Sequence, residues 1–334
     1  MASNLVKFHI QSFKPTNPPI GFLKHNSLFS HLPFPKIKLQ TLTFTPSHKH
    51  FQNHIIPSLY IHSSTPPSSK EEAILQAKTC LSTTLEKPLN NPKLTGKLKK
   101  LRQPRFRLEI PVIDDSPTSL SQLALDVFKG ISIKRRGSKV KFLILWPNPI
   151  SKNTAVELFQ SHSSNNVEHV DLSSIENIDE RSLGSAEVAV FIGAEMSQLE
   201  TIKTITEAVY PKPAVIFNPK WGYEEESEFG EVEGRFVGTF EVIYSFMGLE
   251  VRGVLSKRKG VVFKCVRDGV VSGEKWGIHV EEEGGKLELV SKFKDRPSIV
   301  EVENVLYNLM AINSPITKSA KFFRGLVSTV TGKK

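Results

Sequence analysis

The chain has 334 residues, a formal net charge of +10 and two cysteines, which is enough length for one or two domains. The positive charge belongs to the N-terminal third: residues 1–70 hold seven Lys and no acid, residues 71–107 hold nine basic and three acidic residues, and the rest holds 28 basic and 31 acidic residues. A polyanion-binding surface over the whole protein is therefore not supported. Two cysteines are too few for a disulfide scaffold, and no apolar run approaches the length needed to span a bilayer.

The first 65 residues have the composition of an organelle import signal. They are rich in Ser, Thr, Pro, His and Phe, and they contain no Asp, Glu or Arg. Mitochondrial signals favour Arg on an amphipathic helix, which the prolines here would interrupt, so the composition favours a plastid signal. We predict a disordered chloroplast transit peptide over residues 1–65, cleaved between about His50 and Ser69. A disordered tail with another use is the alternative.

Residues 66–107 are predicted to form a helix followed by a basic linker. Ser68 or Ser69 precedes Glu71 and Glu72, which is a capping pattern, and small or apolar residues then recur at helical spacing. The next stretch is basic and broken by prolines, and it ends in the strand-like sequence "FRLEIPV". Its cations could bind RNA or anionic lipid, but a solvated connector is the commoner use of such a run.

From residue 108 to residue 312 the pattern predicts one α/β domain. Short apolar runs alternate with helical patterns, which indicates a mainly parallel sheet flanked by helices on both faces. The run "DDSPTSLSQLALDVFKG" predicts a helix that is capped by Ser116 and has Pro117 in its first turn. The predicted strands are "KVKFLILWP", "NVEHVDL", "EVAVFIG" and "PAVIFNP". After Gly230 the strands are joined by short polar turns, so we expect an antiparallel meander, and "RPSIVEVENVLYNLMAIN" then predicts a C-terminal helix.

Residues 313–334 contain no acidic residue and place apolar side chains on one stripe of a predicted helix. A basic amphipathic helix of this kind can lie on an anionic membrane or dock on a partner protein. The contact residues would be Lys318, Lys321, Phe323 and Arg324. Packing of this tail on its own domain is an equally good interpretation.

The best place for a ligand is the carboxyl edge of the predicted parallel strands, where ligands of open α/β sheets gather. Three strand ends would meet there. They supply Trp146, Asn148, Gly193, Glu195, Asn218, Lys220 and Trp221. The helix start after Gly193 could hold a phosphate on its N–H groups, but the negative charge of Glu195 would repel an anion there.

Other patterns add no specific chemistry. No glycine-rich phosphate loop is present, so a nucleotide site is weakly indicated and no cofactor is predicted. The acidic run Glu224–Glu228 could bind a divalent cation, but consecutive carboxylates point in different directions, and a solvated loop is the better interpretation. His162, His169 and His279 show no triad motif with a nucleophile. No metal site is therefore predicted, and an enzyme is neither required nor excluded.

The order of these segments resembles a plant and cyanobacterial family of unknown function. The resemblance rests on "DDSPTSLSQLALDVFKG", "KFLILWPNP", "VAVFIGAE", "PAVIFNPKW" and the meander "FEVIYSF…VRGVLSKRKGVVFKCVRDG", and it covers about residues 108–311. The same domain occurs in the low photosystem II accumulation type of assembly factor and behind the kinase part of a chloroplast adenylate kinase. The resemblance implies a protein of the chloroplast stroma or the stromal face of the thylakoid. It brings no catalytic residues, and because the sequence lacks a phosphate-binding glycine loop, we expect no kinase part and no adenylate kinase activity here.

We therefore expect a non-catalytic chloroplast auxiliary protein that binds protein partners and assists biogenesis of a photosystem or another thylakoid complex, with peripheral membrane contact as an option. The alternative is an enzyme that binds a small molecule or a nucleotide phosphate in the cleft at the strand ends. RNA binding by the basic linker is a weaker option, because no aromatic-basic strand motif accompanies it.

Overall fold

The computed structural model describes residues 38–39, 65–90, 103–112, 114, 116–135, 138–161, 166–173, 180–222, 225–252, 257–282 and 285–313. The helices in these residues are α1 (Lys70–Asn90), α2 (Pro117–Phe128), α3 (Pro149–Gln160), α4 (Glu180–Ser185), α5 (Leu199–Ala208), α6 (Glu231–Val237) and α7 (Ile299–Asn313). The strands are β1 (Lys38–Leu39), β2 (Arg105–Glu109), β3 (Lys134–Arg135), β4 (Ser138–Lys139), β5 (Phe142–Trp146), β6 (Val167–Asp171), β7 (Val188–Ile192), β8 (Ala214–Phe217), β9 (Glu241–Arg252), β10 (Lys257–Cys265), β11 (Trp276–Glu281) and β12 (Leu287–Phe293).

One mixed sheet contains all of these strands except the β3–β4 hairpin. Its order is β12-β11-β10-β9-β2-β8-β7-β5-β6. The strands from β9 to β6 pair in parallel, whereas β9, β10, β11 and β12 pair antiparallel to one another. The predicted fold class is confirmed: a mainly parallel sheet flanked by helices, continued by an antiparallel meander and a C-terminal helix.

Helices cover both faces of the sheet because the central strands are apolar on both sides. All five residues of β5 and of β7 are buried. On the first face, α1, α2 and α3 contribute to one large core. On the second face the apolar contacts divide into two cores, one beneath α5 and α6 and one beneath α7.

The predicted helix start at Ser116 is confirmed. The Ser116 hydroxyl accepts a hydrogen bond from the N–H of Ser119 at 3.2 Å, and Pro117 occupies the first helical position, where its missing N–H costs nothing. The helix then places an apolar stripe on the sheet, including Leu120, Leu123 and Val127. A local capping signal and a helical period therefore fixed this element together.

The described parts of the segment 66–107, residues 66–90 and 103–107, belong to the folded body. Helix α1 buries Ala73, Ala77, Cys80, Leu81 and further residues against the sheet. Strand β2 lies between β8 and β9 in the middle of the sheet. The short strand β1 pairs antiparallel with the far end of β9 and lies inside the segment that the sequence predicts to be a transit peptide. The assignment of this segment as a transit peptide remains a prediction.

Helix α1 is held tightly against the loop that follows β10. Gly269 in this loop has a φ of +69°, and a Cβ atom there would collide with the carbonyl oxygen of Thr83 on α1. Gly130, after α2, has a similar φ of +63°, but a Cβ atom there would meet no atom within 4 Å. The two glycines share the left-handed backbone and differ in the close approach to a neighbour.

We expect Gly269→Ala to lower the free energy of unfolding by about 2–4 kcal/mol, because the new Cβ atom is strained in the left-handed backbone and also collides with α1. Gly130→Ala is the matched control and should lose about 1 kcal/mol from the backbone conformation alone. Urea denaturation of both variants measures the difference. Equal losses would show that α1 does not press on this loop.

Candidate functional site

The carboxyl edge of the parallel strands contains a topological switch point between β5 and β7. Helix α3 follows β5 and packs on the first face, whereas α5 follows β7 and packs on the second face. In open α/β sheets this divergence opens the crevice in which ligands bind. The seven predicted ligand residues lie at or just after the ends of β5, β7 and β8, so their contacts decide whether the crevice is available.

Trp146 and Asn148, at the end of β5, make contacts within the fold. The Nε1 of fully buried Trp146 donates to Nδ1 of His169 on β6 at 3.0 Å, and the two rings stack. Burial, with a smaller effect of Lys152, lowers the pKa of His169 to about 4, so His169 is neutral near pH 7 and can accept this bond. Asn148 caps α3, because its Oδ1 accepts from the N–H of Ser151 at 2.9 Å.

Glu195 and Lys220 form an ion pair that joins the ends of β7 and β8. The Nζ of Lys220 lies 2.8 Å from Oε1 of Glu195, and the N–H of Lys220 donates to the carbonyl of Ala194 at 2.8 Å. The side chains are 34% and 42% exposed, so the pair adds at most about 1 kcal/mol. Gly193 donates its N–H to the carbonyl of Phe217 at 2.9 Å. These residues connect neighbouring strands.

Gln198, which the sequence analysis did not single out, bridges the switch point. Its Nε2 donates to the carbonyl of Pro147, after β5, at 2.7 Å. Its Oε1 accepts from the N–H of Glu195, after β7, at 3.1 Å. One side chain therefore ties together the two strand ends whose helices diverge. The signal was present in the sequence as a Glu followed three residues later by a Gln, a helix-start pattern.

Asn218 and Trp221, after β8, also make contacts within the fold. The Oδ1 and Nδ2 of Asn218 pair with the N–H and the carbonyl of Ile110, both at 2.7 Å; this ties the end of β8 to the end of β2. Trp221 is 5% exposed, contacts Phe229 edge-on and lies 5.7 Å from the guanidinium of Arg107. Within the described residues, its buried Nε1 has no hydrogen-bond partner.

Four charged side chains beside these strand ends form what we call the charged cluster: Arg107, Glu109, Glu226 and Arg296. Glu109 lies 2.6 Å from Arg107 and 3.2 Å from Arg296. Glu226 contacts the same two guanidinium groups, Arg107 at short range and Arg296 at 3.1 Å. The hydroxyl of Ser245 on β9 donates to Glu109 at 2.6 Å. Each carboxylate therefore contacts both guanidinium groups.

The charged cluster joins the two cores of the second face. Phe106 and Leu108 belong to the core of the first face. Because successive side chains of a strand point to opposite faces of the sheet, Arg107 and Glu109 lie on the second face. Strands β2 and β9 lie between the part of the sheet beneath α5 and α6 and the part beneath α7. Arg296 precedes α7 and lies 5.5 Å from the ring of Trp276 on β11. Charge pairing therefore connects the parallel strands to the meander.

Burial makes this cluster sensitive to the loss of any member. The side chains of Arg107 and Glu109 are only 4% and 12% exposed. Burial acts to raise the pKa of Glu109, but the charges of Arg107 and Arg296 and a hydrogen bond from Ser245 outweigh it and hold that pKa below its usual value. Glu109 is therefore ionised at neutral pH. Removing one guanidinium would leave carboxylate charge uncompensated in a poorly solvated site.

Two interpretations of the sequence are wrong for one residue each. The acidic run after β8 was interpreted as a solvated loop, and Glu225 and Glu228 are exposed, but Glu226 contacts the buried Arg107 and the partly buried Arg296. The cations of the basic linker were interpreted as solvated, but Arg107 is a buried residue of the central strand β2; residues 91–102 of the linker lie outside the described residues. Composition could not reveal either role, because the partner Arg296 is 70 residues from Glu226 in sequence.

A separate cleft of about 220 Å³ lies beside the start of α2. Lys70, Pro111, Thr118 and Ser119 contribute to its lining. Ligand pockets for drug-sized molecules usually measure roughly 300–1,000 Å³, so this cleft has room for a small anion and not for a nucleotide.

The predicted tail residues Lys318, Lys321, Phe323 and Arg324 lie outside the described residues. In the part of the chain that the structure describes, no three His, Cys, Asp or Glu side chains converge as metal ligands. No helix in that part is both long and apolar enough to cross a membrane.

Comparison with known proteins places the fold in a family. The family described as a domain of unknown function (DUF1995) matches residues 67–304. The chain belongs to this family. The DUF1995 match starts just before α1 and ends within α7, so it includes both the parallel strands and the meander.

Among solved structures, the DUF1995 chain is similar to the flagellar accessory protein FlaH from Methanocaldococcus jannaschii, with 6% identity and a TM-score of 0.26 over 56% of this chain and 90% of FlaH. No curated protein matches the sequence.

We expect Arg107→Met to lower the free energy of unfolding by about 3–5 kcal/mol, because it leaves Glu109 and Glu226 with one guanidinium between them. Arg235→Met is the matched control: the ion pair of Arg235 with Glu231 is 73% and 83% exposed, so its loss should cost less than about 0.5 kcal/mol. Chemical denaturation measures the free energy of unfolding of both variants. Similar losses in the two variants would contradict a structural role for the charged cluster.

Proposed function

We propose that this protein is a non-catalytic chloroplast auxiliary protein that binds protein partners and assists biogenesis of a photosystem or another thylakoid complex. The observation that carries the proposal is that the candidate ligand-binding side chains at the carboxyl edge already make contacts within the fold. The side chains that would bind a ligand there cap a helix, pair across strands or lie buried in the core. Apart from Nε1 of Trp221, the polar groups of these residues named above already serve the fold, and such a site is poorly suited to bind a substrate.

The plastid location rests on the N-terminal composition, which lacks acids and Arg over residues 1–65. The link to photosystem biogenesis rests on the resemblance to the low photosystem II accumulation type of assembly factor and to the C-terminal part of a chloroplast adenylate kinase. Peripheral contact with the thylakoid through residues 313–334 is part of the same proposal.

Two exposed apolar side chains at the carboxyl edge support protein binding. Ile150 in the first turn of α3 is 70% exposed, and Met196, three residues after Gly193, is 44% exposed. They follow the neighbouring strands β5 and β7, whose ends Gln198 joins. Apolar side chains at the centre of an interface exclude water and contribute much of the binding free energy.

Within the described residues, the cleft beside α2 offers the alternative enzyme function a site, and its volume does not fit a nucleotide. RNA binding is disfavoured because two arginines of the basic linker serve the fold. Arg107 belongs to the charged cluster, and Arg105 bonds to Gln103 and to the hydroxyl of Thr239.

The test compares the double variant Ile150→Glu/Met196→Glu with Leu75→Glu, a control on α1 where the parent side chain is 56% exposed. Tagged proteins are imported into isolated chloroplasts and purified under identical conditions. We expect the wild type and the control to recover the same proteins in a constant ratio. The double variant should recover about tenfold less, since two charges enter an apolar interface.

Equal thermal melting of the three proteins would show that the fold is intact. Purification of the wild type as a monomer without a constant partner would overturn the proposal. Recovery unaffected by the double variant would remove the carboxyl edge as the binding surface.

A further inference from the structure

The two cysteines of the chain meet in the core although 185 residues separate them in sequence. The Sγ atom of Cys80 on α1 lies 3.4 Å from the Sγ atom of Cys265 at the end of β10. Both are free thiols, 0% and 3% exposed. A disulfide has an S–S distance of about 2.05 Å, so the sulfurs would have to approach each other by only about 1.4 Å.

The surroundings hold the two thiols facing each other. Ala73 and Ala77 precede Cys80 on the buried side of α1, and such small side chains let the helix lie close to the sheet. On the other side, the loop after β10 packs against the backbone of Thr83 at Gly269. The thiols therefore meet at a contact between two well-packed elements.

The two thiols have unequal acidity. A hydrogen bond from Cys80 and the neighbouring Arg267 lower the pKa of Cys265 and outweigh the effect of burial, whereas burial raises the pKa of Cys80. A lower pKa increases the thiolate fraction of Cys265, and the thiolate is the nucleophilic form. This difference favours Cys265 as the thiol that attacks an oxidant, with Cys80, 3.4 Å away, placed to react second.

We propose that Cys80 and Cys265 form an oxidative modification site, at which hydrogen peroxide produces a reversible disulfide between α1 and β10. The Cys265 thiolate attacks one peroxide oxygen; after uptake of one proton the products are a sulfenic acid and one water. The Cys80 sulfur then attacks the Cys265 sulfur, and its proton leaves with the hydroxyl group as a second water. Two electrons pass from the thiols to the peroxide, and a dithiol reductant returns them by exchange.

The disulfide would change how α1 is attached. In the reduced protein α1 is held on the sheet by packing and hydrogen bonds, so it can separate when the protein opens locally. In the oxidised protein it is bonded to β10, and a cross-link over such a long loop restricts the unfolded chain strongly.

The test treats the full chain under native conditions with a few equivalents of hydrogen peroxide. Because the chain contains two cysteines, we expect thiol titration to fall from two thiols per chain to none, and peptide mapping to find Cys80 linked to Cys265 within one molecule. The oxidised protein should melt about 5–10 °C higher than the reduced protein. A dithiol reductant should restore both thiols and the original melting temperature.

Cys80→Ser and Cys265→Ser are the controls, and neither should gain thermal stability from peroxide. Cys80→Ala tests which thiol reacts first, because this variant should keep a sulfenic acid on Cys265 that a dimedone probe traps. The proposal is overturned if the wild type keeps two thiols, links only between molecules, or oxidises each thiol separately to a sulfinic acid. The wild-type measurements decide these outcomes even if a variant fails to fold.

Discussion

Buried charge must be matched by opposite charge close by, and this constraint governs the centre of the structure. Arg107 and Glu109 lie on β2 in the middle of the sheet, where water cannot screen them fully. Their partners come from the segment after β8 and the segment before α7. The charged cluster can therefore exist only when the parallel strands, the meander and α7 are assembled together, and removing one of its members leaves buried charge uncompensated in that assembly.

At the carboxyl edge, too, polar side chains are paired with groups of the same fold. The amide of Asn218 replaces backbone pairing between β8 and β2, and Gln198 closes the switch point between β5 and β7. At the switch point, where open α/β sheets bind ligands, the side chain of Gln198 bonds to both strand ends. What the edge presents to solvent includes the apolar side chains of Ile150 and Met196, which suit a protein surface better than a metabolite.

The first face of the sheet differs from the second. There one continuous apolar core extends from α3 to β10, and the two thiols meet inside it. The second face depends on charge pairing between two smaller cores, whereas the first depends on packing that a single covalent bond could reinforce. A change in redox state would therefore act on α1 without disturbing the charged cluster.

Periodicity was sufficient to predict the parallel strands and the α/β class, because burial on both faces gives continuous apolar runs such as "KFLILW"; the short helix α6 and the β3–β4 hairpin were not predicted. The cap at Ser116 and the positions of the strand ends were predicted for the same local reasons. The charged cluster and the thiol pair could not be predicted. Each joins residues far apart in sequence, and a single Arg107 or Glu226 in a polar stretch looks the same whether it meets water or a buried partner.

The central claim is that the parallel strands and the meander form one cooperative unit, held together by the continuous core of the first face and by the charged cluster on the second face. Native-state hydrogen exchange of the amides in β2, β8, β10 and β11 tests this most directly. The account predicts that the slowest amides of all four strands exchange with the same free energy, equal to that of global unfolding. Amides of β10 and β11 that exchange at a clearly lower free energy than those of β2 and β8 would contradict it.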